Sequence, residues 1–336
     1  MRRAPRLARP SCVDARRENG MYMNATHVAF VFPGQGSQAV GMLSALAAAY
    51  PAVGATFGEV SEVVGRDLWQ LVSMGPAADL DRTRNTQPAL LAAGVAVWRC
   101  WQAAGGPEPA LMAGHSLGEY SALVCAEALT LTDAARLVAE RARLMQDAVP
   151  AEQGAMAAIL GLADEEVIGL CAEQAGAEVL EAVNFNAPGQ VVIAGARAAV
   201  ERALVAAKAA GAKRALALPV SVPAHCALMR PAAAAFQAVL ADCPLRAPRI
   251  PVLHNVTVAP ASDSDALRDL LARQLYSPVR WVETVQSFAP RGIQHVIEAG
   301  PGKVLTGLGK RIDDTLTFSA VFDPSGLETA LAACAA

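Results

Sequence analysis

The stretch Gly114-His115-Ser116-Leu117-Gly118 sets a serine between two glycines, each two residues away. This spacing suits a nucleophile carried on a sharp strand-to-helix turn, provided that a strand precedes it and a helix follows. Both are expected here. "ALMAGHS" is an apolar run of strand type, and "LGEYSALVCAEAL" spaces its apolar residues as a helix does. At such a turn, side chains two before and two after the serine would obstruct the strained backbone, and glycine at both positions removes the obstruction. The Ser116 hydroxyl would then project, and the Leu117 amide at the helix N-terminus could donate to an oxyanion where the helix dipole favours negative charge. The competing reading is a serine that only caps the helix.

A serine nucleophile needs a base, normally a histidine held by an acceptor. The chain has five histidines. His115 adjoins the serine, but neighbouring side chains at an elbow point apart, so a structural role is expected for it. His27 opens the first strand and His295 a late one, away from the C-terminal edge of the sheet. His254, in "VLHNVT", sits at a strand end and remains a candidate. His225, in "LPVSVPAHCALM", lies on an irregular segment with two prolines, where a side chain is expected to face a cleft, and is the favoured base. A second glycine-rich loop, "FPGQGSQAVGM", matches the dinucleotide fingerprint from Gly34 to Ala39. The second strand that should deliver an acidic residue about 20 positions on is missing, because "GATFGEVSEVVG" around Glu59 is helical in pattern. The expected use of this loop is instead to bring the Gln35 amide close to a developing oxyanion.

These groups need a scaffold. "HVAFVF" is an unbroken apolar run ending at Pro33-Gly34, which suits a strand buried on both faces. "ALAAAYPAVGATFGEVSEVVG" and "QPALLAAGVAVWRCWQAAGG" are each expected as a helix ending at glycine. Alternating strands and helices predict an α/β fold with a parallel sheet. Residues 151–219 change rhythm to βαββαβ, the ferredoxin-like order, and are expected as a small subdomain. It would be inserted into an α/β-hydrolase-like domain made of residues 25–150 and 220–336. Residues 1–24 carry six arginines and no apolar core, and are expected as a disordered leader or an overlong start rather than a signal peptide.

The chain has 336 residues, 54% of them hydrophobic, ample for a buried core. With 28 basic and 31 acidic side chains its net charge is -3, which argues against nucleic-acid binding. Seven cysteines without a CxxC pair indicate neither a disulfide framework nor a zinc site, so reduced thiols in a cytoplasmic protein are expected. No apolar run approaches the roughly 20 residues that span a bilayer.

The chain resembles the malonyl-CoA:acyl-carrier-protein transacylase family in "FVFPGQGSQ", "TQPAL", "GHSLGEYSAL", "GAMAAILGL", "VNFNAPGQVVIAG", "LPVSVPAHCALM", "RQLYSPVRW" and "EAGPGKVLTGL". The resemblance runs from residue 25 to 336. It implies that Ser116 takes the acyl group, that His225 is the general base, and that the Gln35 and Leu117 amides form the oxyanion hole. It further implies that the Gln274 backbone carbonyl orients the histidine in place of a triad carboxylate. Arg141 would pair with the free carboxylate of the malonyl unit, which a planar guanidinium can hold in two parallel hydrogen bonds. Gln87, Asn184 and Asn186 fall in family motifs near the site, where they would serve either loop hydrogen bonding or substrate contact. Ala224, before the histidine, stands where many malonyl enzymes carry serine or a larger residue, so its methyl would leave room for an α-substituent. The implied reaction carries malonyl from malonyl-CoA to acyl carrier protein by a ping-pong course, in a monomer without metal or redox cofactor, for fatty-acid synthesis. Lys213 and Arg214, with Lys310 and Arg311, are expected to help dock the acidic carrier. A hydrolase shares the serine pattern, but Arg141 argues against it. A non-catalytic carrier-binding module would be expected to lose the serine or the histidine.

Overall fold

The computed structural model describes residues 27–220 and 222–335. The expected leader, residues 1–24, lies outside the described residues. Nine strands form two sheets. β1 (Val28–Phe32), β2 (Leu111–Gly114), β7 (Val252–Leu253), β8 (His295–Ala299) and β9 (Thr317–Val321) make the larger, in the order β7-β2-β1-β8-β9. Every neighbour in it runs parallel. Each residue of β1 and β2 is buried, the expected state of strands covered by helices on both faces.

Register decides where the chemistry sits. Phe32 pairs with Gly114, so β1 and β2 end side by side, and the His115 N–H donates to the Phe32 carbonyl at 2.9 Å. The loop after β1, which carries Gln35, therefore lies against the turn that carries Ser116. The loop after β7 begins at His254 and Asn255, beside β2. Three loops thus converge outside the carboxyl ends of adjacent parallel strands, where open α/β sheets form their ligand crevices.

The smaller sheet comprises β3 (Gly154–Leu160), β4 (Leu180–Ala187), β5 (Gln190–Ala196) and β6 (Arg214–Ala217), antiparallel throughout in the order β4-β5-β3-β6. Its strands alternate sides, as the pleat requires. Ala155, Ala157 and Ile159 pack with the helices Asp164–Ala175 and Arg197–Ala209. Met156 turns to the opposite face and joins Val183, Val192, Ala194 and Cys226. Paired backbone bonds tie this sheet to the larger body: Phe185 N–H donates to Val279 and Val279 N–H to Val183.

Two helix expectations are corrected. The first stretch breaks at Tyr50-Pro51 into Ser44–Ala49 and Ala52–Val64, because Tyr50 is held extended before the proline. The second helix spans Thr83–Ala103 and so starts before Gln87, accommodating Pro88 inside it. Burial on nearly every face offsets the lost backbone bond.

Six cysteines are described and all are free, five of them buried and Cys334 half-buried. Burial pushes the thiols of Cys171 and Cys226 up to about 12. Among the described residues no helix is long and apolar enough to cross a membrane. No group of three or more His, Cys, Asp or Glu side chains there could hold a metal ion.

Candidate active site

Ser116 stands at the turn between β2 and the helix Gly118–Cys125, with φ of 50°, a conformation side-chain-bearing residues rarely adopt. Its neighbours make this possible. A Cβ at Gly114 would lie 1.9 Å from the Gly118 carbonyl carbon, and one at Gly118 would lie 1.9 Å from the Phe32 carbonyl oxygen. The strain is held by Asn255, which accepts the Ser116 N–H at 2.7 Å and donates its own amide to the Gly114 carbonyl at 2.6 Å.

The Ser116 Oγ is 2.7 Å from His225 Nε2. On the far side of the ring, Nδ1 lies 2.7 Å from the Gln274 backbone carbonyl. A carbonyl only accepts, so Nδ1 carries the proton of the neutral imidazole and Nε2 presents its lone pair to the serine hydroxyl. Gln274 closes the helix Ser264–Gln274, whose last carbonyls have no partner within the helix. Leu275, next in the chain, accepts the His225 N–H at 2.9 Å. One helix terminus therefore fixes both the backbone and the ring of His225. Burial, reinforced by the Arg141 charge, lowers His225 from 6.5 to about 3, so the ring is neutral at physiological pH.

Arg141 is carried by the helix Leu131–Ala148 and is only 1% exposed. Its two terminal nitrogens donate to the side-chain oxygens of Gln87, at 2.9 Å, and Gln274, at 3.0 Å, and one reaches the Ser116 Oγ at 3.4 Å. Among the described residues its Nε has no hydrogen-bond partner. Burial lowers its basicity, while Tyr120 and Glu119 act the other way.

A cavity of about 110 Å³ opens over these groups. Gln35, Leu117, Gln87, Arg141, Ala224 and His225 all line it, with Met156 and Asn184 contributed by the small sheet. Among the described residues no acceptor takes up the backbone amide of Gln35 or of Leu117. Asn186 takes the hydrogen-bonding alternative of its two expected roles. It is not in the lining, and its amide oxygen lies 2.8 Å from His115 Nε2. His115 borders the cavity, while its ring is engaged by Asn186 and packed edge-on to Trp281, neither of which is in the lining. His254 is fully buried with Nδ1 2.5 Å from Glu119 Oε1, remote from the serine hydroxyl's own partner. Asn255 and Glu119 were not foreseen. They are ordinary polar residues in apolar runs, and their partners lie more than a hundred positions away in the chain.

This arrangement can deprotonate a hydroxyl, stabilise an oxyanion and hold an anion beside both, which is the equipment of acyl transfer through an ester on the protein. Residues 29–316 match the acyl transferase domain family, so the chain is an acyltransferase by class. It is 58% identical over 306 residues to the malonyl CoA-acyl carrier protein transacylase of Salmonella typhimurium, covering 91% of this chain and 99% of the relative. The acyl carrier protein S-malonyltransferase of Vibrio cholerae superposes with a TM-score of 0.88 at 58% identity, over 90% of this chain and 99% of that one. A malonyl-transacylase solved in complex with its type II PKS acyl-carrier protein gives 0.90 at 56% identity, over 91% and 99%. The chain belongs to the malonyl CoA-acyl carrier protein transacylase family.

Proposed function

We infer that this protein transfers malonyl from malonyl-CoA to the phosphopantetheine thiol of an acyl carrier protein, supplying fatty-acid synthesis. The observation that carries the residue assignment is the neutral His225 ring, oriented by the Gln274 carbonyl with its free nitrogen on the Ser116 hydroxyl. In this reading His225 takes the proton as Ser116 Oγ attacks the thioester carbonyl. The unspent amides of Gln35 and Leu117 receive the oxyanion. The intermediate collapses, His225 returns the proton to the departing thiolate, and a malonyl-serine ester is left. The carrier thiol then attacks the ester, giving its proton to His225, and leaves as malonyl thioester while Ser116 regains its hydrogen. Arg141 is the carboxylate anchor, supported by its unpartnered Nε and by a terminal nitrogen 3.4 Å from the Ser116 Oγ. Gln87 helps hold that guanidinium, and Ala224 leaves room at the α-carbon. Asn186 acts through His115 rather than on the substrate.

The strand order β4-β5-β3-β6 supports reading residues 151–219 as a ferredoxin-like subdomain, set into an α/β-hydrolase-like domain of residues 25–150 and 220–336. The chemistry needs only proton transfer and hydrogen bonding, so no cofactor is invoked, and we place the protein in the cytoplasm as a monomer.

Intact-protein mass spectrometry after mixing with malonyl-CoA tests the reading. Wild type should gain one malonyl group that is discharged far faster by holo carrier protein than by buffer, Ser116→Ala should gain none, and Arg141→Ala should lose the preference for malonyl over acetyl. Rapid discharge in buffer alone would make the protein a hydrolase instead.

A further inference from the structure

Glu119 is fully buried and touches neither the serine hydroxyl nor Arg141. Its carboxylate nonetheless has three fixed contacts. Oε1 lies against His254 Nδ1, while Oε2 accepts the Asn255 N–H at 3.1 Å and the Gln274 side-chain Nε2 at 2.9 Å. That same Nε2 donates to the Ser116 carbonyl at 3.0 Å, and the amide's oxygen receives Arg141 at 3.0 Å. The Gln274 amide is thus threaded between a buried carboxylate and a buried guanidinium. Turned over, it would press its oxygen against two acceptors and its NH2 against the arginine's donors. Among the ion pairs of the described residues none includes Arg141, so the hydrogen-bonded path from the carboxylate to the cation runs through this amide.

We propose that Glu119 is a positioning residue for malonyl selection: by fixing the Gln274 side chain it holds Arg141 in the pose that receives the substrate carboxylate. The proposal rests on the reading of Arg141 given above. It assigns Gln274 two separable tasks, its backbone carbonyl orienting the base and its side chain orienting the anchor.

The test measures single-turnover loading of Ser116 from malonyl-CoA and from acetyl-CoA, which has no carboxylate, in wild type, Glu119→Gln, Arg141→Ala and the double variant. Glu119→Gln keeps the shape of the side chain but no longer dictates which way the Gln274 amide faces. Its loading from malonyl-CoA should fall about tenfold, against threefold or less from acetyl-CoA, and adding it to Arg141→Ala should remove no further selectivity, since effects passing through one residue do not add. Equal losses on both substrates, or selectivity losses that multiply in the double variant, would overturn the proposal. Should Glu119→Gln not fold, Gln274→Met is read on the same ratio, because it removes the amide and keeps the backbone carbonyl. Failure of wild type to form any malonyl-serine would sink the functional reading instead, an outcome distinct from equal losses.

Discussion

His225 sits in the strained left-handed region, with φ of 67°, and is buried. Burial disfavours the imidazolium first, and the Arg141 charge adds to it, which is why the ring titrates near 3 rather than 6.5. The sign of the pH effect follows. Serine loading should stay flat from pH 7 to pH 5, over which a histidine of ordinary basicity would see its neutral form fall about 25-fold. Stability moves the same way: the unfolded chain takes up the proton near 6.5 and the folded one only near 3, so this contribution is complete above 6.5 and is lost as pH falls toward 3. Stopped-flow loading across pH checks this, and a midpoint near 6.5 would contradict it. The groups legible in the sequence were those with a local signature: Ser116 by its glycines, and His225 by its irregular, proline-flanked segment. Arg141 and the backbone role of Gln274 emerged from motif resemblance. The side chains of Asn255, Glu119 and Gln274 carried no such mark, because what defines them is a partner across the fold.

At the level of elements, the site depends on how closely the helix Gly118–Cys125 approaches the end of β1. Gly118→Ala would set a methyl 1.9 Å from a backbone oxygen, and neither strand nor helix can yield without moving the serine. A destabilisation of about 3 kcal/mol or more is expected, at the upper end for a single substitution, and chemical denaturation measures it. A midpoint like that of wild type would show that the elbow is more compliant than described. Strand and helix order was readable from apolar periodicity, since buried parallel strands are continuous apolar runs. It failed in two ways: at Pro51 the apolar pattern ran through a break that the proline imposes locally on Tyr50, and at the start of Thr83–Ala103 tertiary packing overrode the local cost of Pro88.

Across the whole molecule, the two sheets bring together charges that are distant in the chain. Lys213 and Arg214 beside β6 and Arg311 of the helix Val304–Ile312 line one surface groove, which excludes Lys310. The Arg311 head is committed to the β4–β5 turn through Gln190 and the Pro188 carbonyl, leaving Lys213 and Arg214 as the groove's other cations. Under the proposed function, Lys213→Glu with Arg214→Glu should raise the KM for carrier protein about tenfold while serine loading from malonyl-CoA keeps its rate. Unchanged carrier kinetics would remove this groove from docking. The buried thiols have a different consequence. An acyl group bound for a foreign sulfur passes through a protein with sulfur of its own, and Cys226 adjoins His225 in sequence, yet its S–H is spent on the Pro223 carbonyl and it stays protonated far above neutrality. The described cysteines are therefore poor competitors for the cargo, because burial keeps these thiols out of thiolate form.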